Sequence, residues 1–408
     1  MTSGRTFVPE SVADPSVTSP KGFRAGAASA GVKEGTNRLD LALVVADRPC
    51  VAHAIFTRCR VVGATVLVSR ERIRSGRAQG IVINSGNANA CTGQDGLLAA
   101  ESMASTAAEH MGIDPSLMLV ASTGVIGVPF PIDRVVAGIP RIKPTADGGH
   151  DAARAIMTTD LVPKESARTV EIGGRRITVA GMAKGSGMIH PDMATLISVI
   201  TTDARLEPGM ARLALKRAAD ASFNQVSVDR DTSPDDTLAL LANGAAGGDP
   251  IQSGTVEARI FQGALDAVCI ELARMIARDG EGATRLIQVD VEGATTLRAG
   301  RRVAREVIAS NLVKTAIYGR DPNWGRILSA VGNAGVPIDP DRVDIFIGEQ
   351  QVAAKGAFHP FDARVVSEAM GADEVRIRVN LNQGRASGCA WGCDLTEGYV
   401  KINAEYTT

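Results

Sequence analysis

The spacing of apolar and polar residues changes several times along the chain, and each change marks an element. LDLALVVAD (39–47) and VAHAIFTR (51–58) are apolar, β-branched runs that predict two strands joined by a turn at Arg48-Pro49. ATVLVSR (64–70) and GIVINSG (80–86) predict two more, with a short polar helix between them. DGLLAAESMASTAAEHMG (95–112) shifts to helical spacing, and LMLVAS (117–122) returns to a strand that ends in the loop STGVIG. HDAARAIMTTD (150–160) reads as a helix with a hydroxyl-rich end. RTVEIGGRRITVAGMAKG (168–185) reads as a hairpin turning at Gly173-Gly174. Two amphipathic helices follow, EPGMARLALKRAADASF (207–223) and VEARIFQGALDAVCIELARMIARDG (256–280). Beyond Glu281 strands and helices alternate, and GYVKINAEY (398–406) is expected as the last strand.

Hairpins combined with long helices predict an α+β fold: two packed β-sheet layers flanked by helices in an αββα-like order, with a smaller C-terminal α/β lobe. The Gly-rich ANGAAGGDP places a boundary near Ser253. Residues 1–20 are expected as a flexible arm, and the smaller lobe as about 253–345, followed by a C-terminal segment that returns to the active site.

Composition narrows the functional classes. Aromatics are only 3% of 408 residues, so the core must be built from Ala, Val, Leu and Ile. Lys plus Arg is 44 and Asp plus Glu is 45, a balance that gives no overall footprint for nucleic acid or an anionic membrane. No apolar run is long enough to span a bilayer and the N-terminus lacks a signal-peptide core, so a cytoplasmic protein is expected. Six cysteines do not make a disulfide framework. Cys389 and Cys393 have no accompanying Cys or His pair at metal spacing, so no metal site is expected. Neither GxGxxG after a strand nor a Walker A sequence is present, so no nucleotide cofactor is expected.

Candidate chemistry centres on KGSGMIHPDMATLISVITTDA (184–204). A pliable Gly-Ser-Gly loop delivers Thr195, after the small Ala194, to the start of an apolar strand. A threonine hydroxyl is a poor nucleophile without a base beside it. Cutting the chain before Thr195 would supply one, because a free α-amine has a pKa of roughly 7.7–8.0. The segment equally suits a threonine that only opens a strand and caps a backbone group. Acyl chemistry also needs oxyanion donors, and Thr123 and Gly124 in STGVIG offer a hydroxyl and an unobstructed N–H, in a sequence that also suits a plain glycine turn. SGNANACTG (85–93) suits both turn chemistry and ligand binding. DRDTSPDDT (229–237) lacks the Gly and closing Glu of a calcium loop and reads as a hydrogen-bonded turn. His190 lies near enough in sequence to suggest a Thr-His pair.

Taken together, KGSGMIHPDMATL, NSGNANACTG, STGVIG, AIMTTD, SFNQVSVDRDTSPDDT, DGEGATR, LVKTA, DPNWGRI and the terminal GYVKINAEYTT resemble the ornithine acetyltransferase (glutamate N-acetyltransferase) family of arginine biosynthesis. The motifs occur in that family's order from about residue 22 to 408. The resemblance implies self-cleavage between Ala194 and Thr195, giving an α chain (to 194) and a β chain (195–408). It implies Thr195 as the nucleophile that carries the acetyl group and Thr123 with Gly124 as the oxyanion pair. Thr158, Lys184, Thr195, Glu281, Asn403 and Thr408 become substrate contacts. The implied substrates are N-acetylornithine and glutamate, with acetyl-CoA as a second donor in bifunctional members, and the implied assembly is a heterotetramer of two α and two β chains. No cofactor is required. Departures from the family's pattern fall at Asp192, Arg230 and Asp235, where it has Asn, Gly and Asn. A self-cleaving amidohydrolase or aminopeptidase, a relative with another acyl acceptor, and a non-catalytic binding module are the competing readings.

Overall fold

The computed structural model describes residues 8–33, 38–190 and 196–405. Its architecture is α+β, with two mixed sheets flanked by helices. Across the larger sheet the strands run Glu10–Ser11, Lys164–Ile172, Arg175–Lys184, Ile197–Thr202, Thr237–Ala242, Leu41–Phe56, Arg77–Asn87 and Met118–Val125, with Phe23–Ala28 also on Leu41–Phe56. Ile197–Thr202 is antiparallel to Arg175–Lys184 and parallel to Thr237–Ala242. The smaller sheet contains Ala357–Phe358, Gln350–Ala354, Asp344–Ile347, Glu374–Asn380, Leu286–Ala294, Ala386–Cys393 and Val226–Ser227. Its strands extend to Cys393, beyond the limit near 345 expected for the smaller lobe.

Helix Val256–Arg278 joins the two sheets. Phe261, Leu265, Val268 and Leu272 are fully buried in one core with Val179 and Ile200 of the larger sheet and Trp391 of the smaller. Gly181 allows the close approach: a Cβ there would lie 2.5 Å from Ile200 Cδ1 and 3.0 Å from Leu272 Cδ1. A second core fills the space between the smaller sheet and helices Leu297–Ala309, Asn311–Gly319 and Trp324–Gly332.

Four further expectations need correction. Arg48-Pro49 is not a turn between strands. Leu41–Phe56 is continuous, and its register against Arg77–Asn87 shifts between Val45 and Cys50. Pro49 cannot donate to the ladder, so the strand bulges there instead. ATVLVSR is not a strand but the helix Ala64–Arg72. Its Ser69 hydroxyl donates to Val120 O at 2.6 Å and accepts from Val120 N at 2.8 Å, so tertiary anchoring overrides a weak β preference. The C-terminal GYVKINAE segment is helix Glu397–Glu405, with Val400 exposed. The expected flexible arm is docked where it is described: Glu10–Ser11 pairs with Thr169 and Arg168, and Val17 is buried. No helix among the described residues is long and apolar enough to cross a membrane.

Candidate active site

Strand Arg175–Lys184 ends where Met118–Val125 ends, and the two ends open onto one cavity of about 160 Å³. Thr123, Gly124, Thr158, Lys184, Glu281 and Asn403 all line it. They come from positions as distant in sequence as 123 and 403. Ala194, Thr195 and Thr408 lie outside the described residues. Leu196 and Ile197, which follow Thr195 in the chain, form part of the wall, and Ile197 is paired with Lys184. His190 does not line the cavity; its Nδ1 lies 2.9 Å from Ser227 Oγ.

Gly124 has a φ of +129° and a hypothetical Cβ would lie 2.4 Å from the Gly86 carbonyl carbon. The crossing of these two backbones therefore requires glycine. Buried Ser122 donates to Asn84 Oδ1 at 2.5 Å, and Asn84 donates to Asn87 O at 2.8 Å. Asn87 and Asn89 brace the SGNANACTG loop in the same manner and do not line the cavity.

Lys184 Nζ donates to Thr123 Oγ1 at 3.2 Å. An ammonium can only donate, so the Thr123 oxygen accepts and its own hydrogen is directed elsewhere. Burial lowers the Lys184 pKa; Lys164 pushes the same way, while Asp160, Glu281 and Asp236 oppose it. Glu281 Oε2 accepts from Asn403 Nδ2 at 2.8 Å. The terminal helix that carries Asn403 is held against the 279–285 loop by Thr396, which donates to Gly282 O at 2.7 Å, and by Asp394, which accepts from Thr284 N at 2.8 Å.

Beneath the cavity lies a charged network that the sequence reading missed. Lys164, fully buried, donates to Asp160 Oδ1 at 2.7 Å and Asp279 Oδ2 at 2.6 Å. Asp160 also accepts from Thr158 N at 2.9 Å and Gly185 N at 2.7 Å. Ser186 Oγ donates to Asp279 O, and Glu281 N donates to Ser186 O. One buried lysine thus fixes Thr158, the glycine loop and Glu281 together. Burial opposes ionisation of Asp160, but Lys184, Lys164 and the hydrogen bonds outweigh it and hold the carboxyl below its usual range. A D-x-x-x-K spacing at 160–164 was the available signal; Asp279 gave none.

DRDTSPDDT is a turn, as expected. Asp229 accepts from Met188 N and Ile189 N at 2.6 and 2.8 Å, fixing the chain after the glycine loop. Asp235 Oδ1 is buried with no hydrogen-bond partner, and burial raises its carboxyl well above the usual range. No cluster of potential metal ligands occurs among the described residues.

The chain matches the ArgJ family over residues 24–408. It belongs to that family. A relative from Symbiobacterium thermophilum, "Arginine biosynthesis bifunctional protein ArgJ", is 50% identical over 396 residues, covering 96% of this chain and 98% of its own. The protein of the same name from Dehalococcoides mccartyi is 48% identical, covering 97% and 98%. Among solved structures, the Bacillus halodurans arginine biosynthesis bifunctional protein ArgJ is 41% identical, covers 51% of this chain and 98% of that one, and has a TM-score of 0.50. Membership of the ArgJ family accounts for the order of the motifs along the whole chain. It does not itself assign the cavity residues.

Proposed function

We propose that this protein transfers an acetyl group from N-acetylornithine to glutamate through an acetyl-Thr195 intermediate. The observation that carries this reading is the convergence of Thr123, Gly124, Thr158, Lys184, Glu281 and Asn403 on one cavity whose wall continues into Leu196. The chain cleaves itself before Thr195, and the freed α-amine takes the hydroxyl proton. The Thr195 oxygen attacks the acetyl carbonyl of N-acetylornithine, and the Thr123 hydroxyl and Gly124 N–H hold the oxyanion. The amine returns the proton to the departing ornithine nitrogen. Glutamate's amine then attacks the acetyl-enzyme and leaves as N-acetylglutamate, regenerating the threonine. Lys184 suits a substrate carboxylate and Glu281 a substrate ammonium. Thr158, Asn403 and Thr408 complete the substrate contacts.

The relatives' description as bifunctional supports acetyl-CoA as a second donor. Two α and two β chains form the assembly, in the cytoplasm. The test is to supply N-acetylornithine with and without glutamate. The account predicts ornithine release with glutamate, parallel-line ping-pong kinetics and little turnover without it. Steady ornithine release in water alone would instead identify a hydrolase.

A further inference from the structure

A second cavity of about 1200 Å³ opens between helices Pro208–Ala221 and Leu297–Ala309. Eight of its lining side chains are arginine or lysine, against one carboxylate, Asp220. That carboxylate accepts from Asn224 Nδ2 at 2.9 Å. Arg212 and Lys216 stand one turn apart on one helix, and Arg298 and Arg301 one turn apart on the other. Among the described residues none of these four forms an ion pair, although Arg301 is within electrostatic reach of Asp266. The start of Leu297–Ala309 also faces the cavity, with no acidic residue in its first turn. Its N–H groups and dipole add to the positive field. His53 in the same wall is pushed toward its neutral form, by burial and then by Arg212. The chain as a whole is charge-balanced, so this concentration is local. So many like charges around one concavity repel each other, and a compact polyanion relieves that repulsion.

The cavity shares a wall with the catalytic one at Thr57. Phe56 and Arg58 line the cationic cleft. Thr57 between them donates its N–H to Asp236 O at 3.1 Å and its hydroxyl to Ser233 O at 2.6 Å. Ser233 and Asp236 line the catalytic cavity.

We propose that the cleft binds a small ligand carrying several phosphates, held between Arg212 and Lys216 on one helix and Arg298 and Arg301 on the other. Arginine pairs suit phosphate oxygens bidentately, and the cleft is of the size that encloses a nucleotide-like molecule. Its place beside the catalytic cavity favours a phosphorylated thioester carrier of the acetyl group. That identity rests on the acetyl-transfer reading, whereas phosphate binding does not. A nucleotide effector would present the same chemistry.

The test is calorimetric titration of the full protein with coenzyme A, ATP, pyrophosphate and pantetheine, at low and moderate salt. Wild type is compared with Arg298→Ala/Arg301→Ala and with Arg212→Gln/Lys216→Gln. Acetylornithine–glutamate exchange, which involves no phosphate, reports that each variant is folded. The proposal predicts saturable binding of coenzyme A that weakens with salt, falls at least tenfold in both variants and is absent for pantetheine, while exchange is unchanged. Tighter binding of coenzyme A than of ATP, with acetyl-CoA-dependent acetylation reduced in the variants, identifies a donor site. Equal binding of ATP, with that activity unaffected, identifies an effector site. Failure of all three phosphate probes to bind wild type, or equal binding by wild type and variants, overturns the proposal. Loss of exchange in the wild type with phosphate binding retained would instead remove the acetyl-transfer reading and leave the cleft assignment standing.

Discussion

Gly187 is a point where a single atom separates a working cavity from a damaged one. A Cβ there would lie 2.4 Å from the Glu281 carboxylate, while its backbone φ is not in the left-handed region. Gly187→Ala therefore leaves the fold intact and displaces Glu281. The expected result is a rise in KM for N-acetylornithine of roughly tenfold or more, matching Glu281→Gln, with an unchanged unfolding midpoint; steady-state kinetics and thermal melts check it. Asp235 gives a second prediction. Its folded-state pKa is raised by burial, so the wild type loses stability as pH climbs from about 4 toward that raised value. Asp235→Asn removes the loss. Denaturant unfolding should find the variant more stable at pH 8, and the gain should shrink toward pH 4. At this scale Thr123 and Gly124 were legible as candidates from STGVIG itself, whereas Thr158, Lys184, Glu281 and Asn403 were legible only through the resemblance, because no single motif was specific. Arg230 illustrates why local geometry was not legible: a non-glycine residue stands at φ +70° with an ion pair to Glu306 of 3.0 Å, and nothing in the local sequence marks that conformation.

Periodicity served long elements well and short ones poorly. The Gly173-Gly174 hairpin and helix Val256–Arg278 followed directly from their sequences. ATVLVSR and the terminal helix did not, because each is short and its state is decided by what it packs against. The network of Lys164, Asp160 and Asp279 was invisible for a related reason: Lys164 and Asp279 are 115 residues apart and meet only when helix Val256–Arg278 has docked on the sheet. Lys164→Met takes the hydrogen-bonded cation from two buried carboxylates and leaves Asp160 only the field of Lys184. The expected cost is about 3–5 kcal/mol at neutral pH in denaturant unfolding. Asp160, held below its usual range by its partners, supplies stability that is present above about pH 4 and lost as pH falls further. The difference between wild type and Lys164→Met should therefore shrink below pH 4.

The larger sheet carries the consequence for the whole molecule. Ile197–Thr202 and Thr237–Ala242, from beyond the proposed cut, lie between Arg175–Lys184 and Leu41–Phe56, from before it. Both boundaries are hydrogen-bonded over six residue pairs. Cleavage before Thr195 thus cannot release either part without tearing the sheet and the core beneath it. The two fragments should elute together from a sizing column in native buffer and separate only in denaturant. Native separation would contradict the interleaved topology. The overall α+β class was legible from the sequence, but this interleaving was not, since strand order is a long-range property.

The most direct test of the account is intact mass under denaturing conditions, before and after incubation with N-acetylornithine alone. The account predicts two fragments, the second beginning at Thr195, and after incubation only that second fragment heavier by one acetyl group on its first residue. A single uncut chain in active protein, or an acetyl group carried anywhere else, would contradict it.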